Sequence, residues 1–417
     1  MKILWLTNVP LPVISNSIGN RISPFGGWLV TVANQLLEDK KDLCIVFPNY
    51  SNESVQGQID NLSYFGYKEK SHSQYKFDTK LEKVFIGYIE SFAPDIIHIW
   101  GTEYPRALSM LNAAHHLNFK NVVVSIQGIC SAYKNHYFAG LPNAIIHKYS
   151  LRDIIRRDNI YHQYLKFCEQ AKWEEKALSK ADYIIGRTTW DFACTKMYAS
   201  QAKYFYCAET LRPSFYEQQW SYDECEKHSI FVSQSSYPIK GFHKVLQALP
   251  EVLKHYPDTI LYTTGTDPRS LSIRQKTAYH LYLEELLNNP KVAKAVVFLG
   301  TLNETQMRDR YLKSNVFVSP SSIENSPNSV GEAMLLGLPI VASYVGGTMD
   351  MLRDKTDGFL YQQDAEYMLA FYIKEVFANV EKSIEMGNNA QQHALQTHDK
   401  KKNMEDLLLI YDSIMKN

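Results

Sequence analysis

The sequence predicts an α/β protein built from two doubly wound domains, and three observations carry this prediction. The chain has 417 residues, more than one compact domain usually holds. Short apolar runs alternate with amphipathic stretches, which is typical of strands and helices in parallel-sheet proteins. The alternation occurs twice, and a polar, aromatic stretch separates the two series. We therefore predict domains at 1–212 and 229–399, joined by a linker at 213–228.

The first series predicts a parallel sheet covered by helices. Its short apolar runs read as buried strands, and the amphipathic stretches between them read as helices. The predicted strands are Ile3–Leu6, Cys44–Phe47, Ile96–Ile99, Val122–Ile126, Tyr183–Ile185 and Tyr204–Cys207. The predicted helices are Trp28–Leu37, Leu81–Ser91, Pro105–His116, Glu169–Leu178 and Trp190–Tyr198.

The second series repeats the pattern and ends in a further helix. Strands are predicted at Ile230–Ser233, Thr259–Thr263, Val296–Leu299, Val316–Val318 and Ile340–Ser343, with helices such as Phe242–Leu253 and Thr305–Leu312 between them. The last helix, Met404–Met415, has apolar residues at positions 404, 407, 408, 411, 414 and 415, which form one helical stripe. In doubly wound sheets, ligands bind beyond the carboxyl ends of the strands.

Composition excludes several classes of protein. The 44 basic and 44 acidic residues give zero net charge, which argues against a general nucleic-acid binder. No run is long and apolar enough for a membrane span, and the start lacks a signal-peptide core. The six cysteines are scattered without a C-x-x-C pair, so neither zinc nor a disulfide framework is predicted. These features predict a reduced, cytoplasmic compartment.

A segment late in the chain combines a strand exit, a helix start and a helix stop. The predicted strand Val316–Val318 is followed by a loop, and Ser326 is the expected N-cap with Pro327 at the first helical position. Gly337 should end the helix. Backbone N–H groups at such a helix start, together with the positive end of the helix dipole, suit an anion such as a diphosphate.

Two carboxylates belong to the same segment. Glu332 falls in the second turn of the predicted helix, where it can accept hydrogen bonds from a vicinal diol. Glu324 lies on the loop that faces the same helix start. A diphosphate-binding helix start beside an acceptor for two hydroxyls describes a site for a nucleotide sugar.

The pattern Glu324-x7-Glu332, followed by Ala-Met-x-x-Gly-x-Pro and Gly346-Gly347, resembles the E-x7-E signature of retaining glycosyltransferases of the GT-B architecture, and more narrowly glycosyltransferase family 4. Further landmarks occur in the family's order along nearly the whole chain. They are Met1–Leu6, Gly26-Gly27, Pro94–Ile99, Ala181–Ile185, Pro238–Gly241 and Val297–Gly300. The resemblance implies two facing Rossmann-like domains with a cleft between them. It also implies that the helix at 400–417 crosses back onto the first, acceptor-side domain, while the second binds the nucleotide sugar.

The resemblance implies roles for the two acids. Glu332 would bind the ribose hydroxyls of the donor, and Glu324 would lie near the donor sugar as a catalytic group, unless it is a surface loop acid. Glu324 is followed by Asn325-Ser326-Pro327-Asn328 where most relatives carry Gly-Phe-Gly, so the resemblance does not fix the shape of this loop or its sugar contacts. The donor-binding candidates on this loop and helix start are Asn325, Ser326, Asn328 and Ser329.

The same resemblance implies a phosphate-binding lysine. Lys240, beside Gly241 at a helix start, is placed to neutralise a diphosphate and is predicted as catalytic. Relatives usually carry an arginine about five residues earlier, where this chain has Ser235. Three explanations stay open: hydroxyls and backbone amides suffice, another cation such as Arg187 or Arg212 substitutes, or the donor differs.

The candidate site residues of the first domain lie in predicted loops next to strands. The pair Gly26-Gly27 opens a helix and either contacts the donor or forms a plain turn. Gln127 follows a strand where many relatives carry a histidine that contacts the sugar or acceptor; an ordinary loop glutamine is the alternative. Glu103 and Arg106 flank the next strand–helix junction and are predicted on the acceptor side.

Three other polar residues receive simpler predictions. His98 lies within an apolar strand, which favours a hydrogen-bonded core histidine over a catalytic base. Thr301 and Asn303 follow Leu299-Gly300, where the family's nucleotide base packs.

The stretch 146–157 is basic with interleaved apolar residues. Either it is a solvated helix over the core, or it rests on an anionic membrane surface where a lipid-linked acceptor is presented. The second reading would place the protein peripherally at the inner face of the membrane.

The predicted reaction is transfer of a sugar from a nucleotide diphosphate to a hydroxyl of a glycan or lipid-linked glycan, with retained configuration, in surface polysaccharide synthesis. No Asp-x-Asp motif occurs, so we expect no metal and no cofactor beyond the nucleotide-sugar co-substrate. Two alternatives stay open: a nucleotide-sugar epimerase of the same architecture, and a nucleotide-sugar-binding protein with reduced activity. A related phosphorylase would need a lysine for pyridoxal phosphate, and no sequence feature marks one.

Overall fold

The computed structural model describes residues 1–21, 27–51 and 53–416. The chain divides into two compact units. The first comprises Met1–Lys134, Lys166–Thr210 and His398–Asn417, and the second comprises Asn135–Leu165 and Leu211–Thr397. Each unit has its own sheet and its own hydrophobic clusters.

The sheet of the first unit has eight strands in the order β3-β4-β2-β1-β5-β6-β7-β8. The strands are β1 (Lys2–Leu6), β2 (Asp42–Asn49), β3 (Val55–Ile59), β4 (Leu62–Lys68), β5 (Ile96–Trp100), β6 (Val122–Ser125), β7 (Tyr183–Gly186) and β8 (Lys203–Tyr206). All neighbours are parallel except the hairpin of β3 and β4. The strand order reverses direction between β1 and β5, which makes that boundary the topological switch point.

The sheet of the second unit has six parallel strands in the order β11-β10-β9-β12-β13-β14. They are β9 (Ser229–Val232), β10 (Ile260–Thr263), β11 (Val296–Phe298), β12 (Val316–Ser319), β13 (Ile340–Ser343) and β14 (Phe359–Tyr361). This is the doubly wound order of a dinucleotide-binding fold, and its switch point lies between β9 and β12.

Helices connect the strands in both units. In chain order they are α1 (Pro12–Ser17), α2 (Gly27–Glu38), α3 (Lys80–Phe92), α4 (Arg106–His116), α5 (Cys130–Tyr133), α6 (Asn143–Ile146), α7 (Leu151–Arg156), α8 (Ile160–Leu178), α9 (Thr189–Lys196), α10 (Phe242–His255), α11 (Ala278–Leu286), α12 (Pro290–Ala295), α13 (Glu304–Leu312), α14 (Asn328–Leu336), α15 (Thr348–Met351), α16 (Glu366–Ala378), α17 (Val380–Thr397) and α18 (Lys400–Met415). Among the described residues, no helix combines the length and apolar character that a bilayer span requires.

The predicted α/β class is confirmed, and each predicted strand is present with ends shifted by at most two residues. Three strands were not predicted. Along β3 the sequence Val-Gln-Gly-Gln-Ile is mostly exposed, and β4 carries serine and glycine among its aromatic residues, so neither forms a continuous apolar run. The third, β14, has only three residues, which is too short for a pattern.

The second unit takes two segments that the sequence analysis placed elsewhere. Residues 135–165, predicted in the first domain, contribute Leu141, Ile145, Ile146 and Ile160 to the core around β9 and α10. Residues 213–228, predicted as a linker, pack Phe215 and Trp220 into the second unit, and the Trp220 indole donates to the Ser314 carbonyl at 2.7 Å. Burial of apolar side chains, aliphatic in the first segment and aromatic in the second, explains both departures.

Helix α18 packs on the sheet of the first unit, the placement that the resemblance implies. Met404, Leu407, Ile410, Tyr411 and Ile414 are buried in the same cluster as the strand β1. The Tyr411 hydroxyl lies 3.2 Å from the Trp5 indole nitrogen, which donates to it, and 2.6 Å from Nδ1 of His98. The other ring nitrogen of His98 lies 2.6 Å from the Ser125 hydroxyl. His98 is therefore a hydrogen-bonded core histidine, as predicted.

Replacing Leu407 with alanine should reduce the free energy of unfolding by about 2–5 kcal/mol, because this fully packed side chain would leave a cavity. Leu409→Ala on the same helix is the matched control, since Leu409 is 65% exposed against 4% for Leu407. The control should change stability by less than about 0.5 kcal/mol. Urea denaturation followed by circular dichroism measures both; equal effects would contradict the packing of α18.

Candidate functional site

The switch point of the second unit brings together two loops that carry predicted site residues. One loop leaves β9 and leads through Lys240 to α10, and the other leaves β12 and leads through Glu324 to α14. Because β9 and β12 are parallel neighbours, both loops start from the same edge of the sheet. Lys240 and Glu324 are 84 residues apart in the sequence, yet their side chains form a hydrogen bond.

An ion pair joins the two loops. Nζ of Lys240 lies 2.6 Å from Oε1 of Glu324, and the Ser321 hydroxyl donates to the same oxygen at 2.7 Å. Glu324 is buried, whereas about a third of the Lys240 side chain is exposed. A lysine ammonium has three N–H donors, so its bond to Glu324 leaves donors for an anion on the exposed side.

Two glycines allow the loops to approach this closely. Gly241 has a φ of 72°, and a Cβ there would collide with the carbonyl oxygen of Pro320. Gly346 has a φ of 49°, and its Cβ would collide with the carbonyl oxygen of Glu324. That oxygen instead accepts a hydrogen bond from the Gly347 N–H at 3.0 Å. The absence of a side chain at Gly241 therefore allows its backbone to lie close to the backbone of Pro320 at the start of α10.

Helix α14 begins at Asn328, and its N-cap is Pro327 rather than the predicted Ser326. The carbonyl of Pro327 accepts the first helical bonds, from Val330 at 2.9 Å and Gly331 at 3.2 Å. With φ −69° and ψ 116°, Pro327 is extended, so the helix starts one residue later than predicted. A proline N-cap has no polar side chain with which to satisfy the N–H groups of the first turn. Gly337, with φ 75°, ends the helix as predicted.

Glu332 is held by Arg212 in a two-pronged ion pair. Nε and Nη2 of Arg212 donate to the two carboxylate oxygens of Glu332 at 2.6 and 2.7 Å. Burial raises the pKa of Glu332, although the hydrogen bonds and charge of Arg212 oppose that shift. Each carboxylate oxygen of Glu332 has two lone pairs and uses one for Arg212. Each oxygen can therefore still accept a hydrogen bond from a hydroxyl. Arg212 therefore neutralises Glu332 in this structure.

Ser235 occupies the position where an arginine was expected. It is almost fully buried, and its hydroxyl donates to the carbonyl of Thr264 at 2.7 Å. The single hydroxyl proton is thereby engaged with the backbone. Gly265, with a φ of 109°, brings its backbone against the same hydroxyl. The Ser235 hydroxyl thus connects the ends of β9 and β10. Toward a ligand, this hydroxyl can only accept a hydrogen bond.

The other donor-binding candidates lie around the start of α14. Asn325 is buried, while Ser326, Asn328 and Ser329 are partly exposed. The carbonyl of Ser329 accepts a hydrogen bond from the Tyr311 hydroxyl at 3.1 Å. The candidates for the base site are exposed: Thr301 lies in a loop, and Asn303 caps α13 by accepting from the Gln306 N–H at 2.9 Å.

At the switch point of the first unit, Glu103 and Arg106 bind neighbouring loops. Nη2 of Arg106 lies 2.8 Å from Oε2 of Glu69, and Nη1 donates to Asn8 at 3.3 Å. Oε1 of Glu103 accepts from the Gly128 N–H at 2.9 Å, and burial raises the pKa of this carboxyl group. Arg106 is buried, and Glu103 is partly buried. Their placement on the acceptor side stays a prediction.

The first unit also has a pocket beside the ends of its strands β5, β6 and β7. Trp28 and Trp100 line it together with Gln127, Arg187 and Glu209. Gln127 donates to Oε1 of Glu209 at 2.8 Å, and Arg187 forms an ion pair with Oε2 of the same glutamate. Arg187 is thus neutralised within the first unit. The sequence analysis missed Glu209; its position after the last strand of the first sheet was the available signal.

The glycine pair of the first domain is only partly covered by the described residues. Gly26 lies outside the described residues, and Gly27 is the first residue of α2. Across residues 1–21, 27–51 and 53–416, no group of three or more His, Cys, Asp or Glu side chains is arranged to hold a metal ion.

Comparison with known proteins gives the same architecture. Residues 215–393 match the family model described as glycosyl transferases group 1. An uncharacterised glycosyltransferase of Methanocaldococcus jannaschii is 31% identical over 133 residues, which cover 32% of this chain and 31% of that protein. The spore coat protein SA of Bacillus subtilis is 25% identical over 191 residues, 45% of this chain and 49% of the relative. The matches therefore span less than half the length of these relatives.

Solved structures match over the whole chain. Sucrose-phosphate synthase from Thermosynechococcus elongatus superposes with a TM-score of 0.71 at 14% identity, covering 100% of this chain and 99% of that one. The Anabaena protein HepE, solved with UDP-glucose, gives 0.69 at 16% identity, covering 99% and 100%. At these identities the likeness concerns the fold, which is the GT-B architecture of two Rossmann-like units with parallel sheets.

Replacing Arg212 with methionine should lower the free energy of unfolding by roughly 2–3 kcal/mol at neutral pH. The change leaves a buried carboxylate without its cation, which costs about 3–5 kcal/mol for a fully buried pair and less here because 22% of the Arg212 side chain is exposed. Arg269→Met is the control, because Arg269 and its partner Asp267 are both substantially exposed.

The loss in free energy of unfolding caused by Arg212→Met should depend on pH. Burial already raises the pKa of Glu332, and without Arg212 nothing comparable opposes it, so the folded protein binds a proton that the unfolded chain releases. Such a group loses stability as pH rises through its folded-state pKa. Relative to wild type, the variant should therefore recover stability as pH is lowered. A pH-independent difference in urea denaturation would contradict this account.

Proposed function

We propose that this protein is a retaining glycosyltransferase that moves a sugar from a nucleoside diphosphate to a hydroxyl of a glycan or lipid-linked glycan, in surface polysaccharide synthesis. The observation that carries the proposal is the Lys240–Glu324 pair at the switch point between β9 and β12. Ligands of doubly wound sheets bind at this place. The match to glycosyl transferases group 1 and the GT-B fold support the same activity.

The diphosphate of the donor would lie between Lys240 and the start of α14. The ammonium group supplies a full positive charge, and the first turn of α14 supplies backbone N–H groups that Pro327 does not cap. Negative charge develops on the leaving diphosphate as the glycosidic bond breaks. Positive groups fixed in advance at that point stabilise the transition state more than the ground state.

The two acids would take different parts of the donor. Glu332, already oriented by Arg212, would accept hydrogen bonds from the ribose hydroxyls through its remaining lone pairs. Glu324 would lie near the transferred sugar, and its bond with Lys240 fixes the position of both charges. In this assignment Lys240 and Glu324 are catalytic, and Glu332 binds the donor.

The chemical step balances without a covalent enzyme intermediate. The bond between the anomeric carbon and the diphosphate oxygen breaks, and the acceptor oxygen forms the new bond on the same face. The acceptor hydroxyl loses its proton to an oxygen of the departing diphosphate. Retained configuration follows from this same-face attack, and no step in it calls for a metal ion.

A nucleotide-sugar-binding protein with reduced activity is the second candidate, and Ser235 favours it. The hydroxyl proton of Ser235 is engaged with Thr264, so this residue cannot donate to the diphosphate as an arginine would. If Lys240 and the helix start are insufficient alone, donor binds without efficient transfer. An epimerase is separated from both by incubation with donor alone, which would yield the epimer without any acceptor.

A panel of UDP-, GDP- and ADP-sugars should identify the donor through thermal stabilisation. A ligand that binds only the folded state contributes about 2.7 kcal/mol at a concentration a hundred times its dissociation constant, which raises Tm. UDP-glucose is the first probe, because HepE was solved with it. Glu332→Ala should abolish the shift. If no nucleotide sugar raises Tm of the wild-type protein, a donor site is contradicted.

Lys240→Ala should lower kcat with the identified donor by about 10²- to 10³-fold, the effect of removing one fixed positive donor from a developing charge. Lys254→Ala is the control, because Lys254 is an exposed lysine in the last turn of α10. The control should keep wild-type kinetics. Wild-type kinetics in both Lys240→Ala and Glu332→Ala would refute the assignment, and the anomeric configuration of the product, read by NMR, tests retention.

A further inference from the structure

Helix α7 of the second unit is attached through its polar side. Ser150 and Asp153 form a capping box at its start, and Asp153 is fully buried. Oδ2 of Asp153 also accepts a hydrogen bond from the Ala278 N–H at the start of α11, at 2.9 Å. Arg152 folds back onto Asp153, with Nη1 3.0 Å from Oδ1. The buried charge therefore fixes the orientation of α7 on the unit.

The opposite side of α7 presents apolar side chains to solvent. Ile154 is 60% exposed and Ile155 is 67% exposed, and Tyr149 and Leu151 beside them are also exposed. This arrangement reverses the usual amphipathic pattern, in which apolar residues face the core. Contiguous exposed apolar surface with a polar rim marks a contact site on a soluble unit. Ile154 and Ile155 therefore take no part in the core of the second unit.

Basic residues surround the exposed isoleucines. Lys148, Arg156 and Arg157 are exposed on the same short segment. Of the acids on the segment, Asp153 is buried and Asp158 lies 4.0 Å from Arg152, so the exposed charge is positive. We call the exposed residues between Lys148 and Arg157 the α7 face.

We propose that the α7 face docks on the surface of an anionic lipid bilayer. Apolar side chains would enter the boundary between head groups and acyl chains, while the arginines and lysine would pair with lipid phosphates, as in interfacial amphipathic segments. A second copy of the chain fits less well. A two-fold contact would place the α7 face against itself and bring like charges together. The proposal goes beyond the proposed transfer reaction and does not depend on it.

Vesicle flotation of the full-length protein tests the proposal without any substrate. The two probes are vesicles of phosphatidylcholine alone and vesicles in which part of it is replaced by phosphatidylglycerol. Wild-type protein should float with the anionic vesicles and stay unbound with the neutral ones, and raised salt should release it, because screening weakens the charge term.

Two variants separate the apolar and the charge contributions. Ile154→Ser/Ile155→Ser removes apolar side chains, and Arg156→Glu/Arg157→Glu reverses charge while leaving Arg152 paired with Asp153. Each should weaken anionic-vesicle binding by roughly tenfold or more, given that one basic residue near such a surface contributes about a fivefold change. All changed side chains are exposed, so Tm should remain that of wild type.

Matched controls lie on other helices of the same unit. Tyr367→Ser/Phe371→Ser removes exposed apolar side chains from α16, and Lys291→Glu/Lys294→Glu reverses charge on α12. Both should bind anionic vesicles as wild type does. The proposal is overturned if wild type does not float, if neutral vesicles bind equally, or if α7-face variants behave like their controls. A change in oligomeric state by sedimentation with unchanged flotation would instead assign the face to a second copy.

Discussion

The close approach of two loops at the switch point of the second sheet is the constraint on which the rest of the candidate site depends. The order of strands places the ends of β9 and β12 side by side, and glycines at 241 and 346 remove the side chains that would hold the loops apart. Lys240 and Glu324 can then pair at 2.6 Å. Side chains at those two glycine positions would collide with backbone carbonyls, which cannot move as the end of a flexible side chain can. The charge arrangement is therefore a consequence of backbone geometry.

The second acid of the signature is fixed by different means. Glu332 lies in a helix with buried residues on nearly every side, and desolvation alone would favour its neutral form. Arg212 supplies the compensating charge with planar, two-pronged geometry. Each acid in the pair Glu324 and Glu332 thus has its own cation. The two ion pairs hold both carboxylates in position, while the ammonium group of Lys240 stays partly open to solvent.

Strand–helix alternation predicted the fold class, and the reasons for its failures are physical. Apolar runs located the fully buried strands of four or more residues but missed the three-residue β14. They also missed β3 and β4, which form a partly exposed hairpin at the sheet edge, where the sequence is mixed. Chain order placed residues 135–165 in the first domain, whereas hydrophobic contact places them in the second unit. A local sequence pattern does not show which of two hydrophobic cores an amphipathic segment will join.

The sequence predicted which residues form the candidate site, but it did not predict which side chains pair with one another. The spacing of Glu324 and Glu332 and the lysine before a glycine were visible in the sequence. The pairing of Lys240 with Glu324 was not, because it links residues far apart in the chain. Arg212 was named as one of several substitute cations, and only the structure shows that it binds Glu332. The α7 face likewise needed burial of Asp153 to show which side of the helix points outward.

The division of the chain has a consequence for its biosynthesis. The core of the first unit includes β1 and α18, which are synthesised at opposite ends of residues 1–417. On the ribosome, the part of this core that α18 contributes is added only after residues 211–397 of the second unit have been synthesised. The first unit therefore completes its core last, although its β1 is made first, and the interior unit can complete its own core earlier.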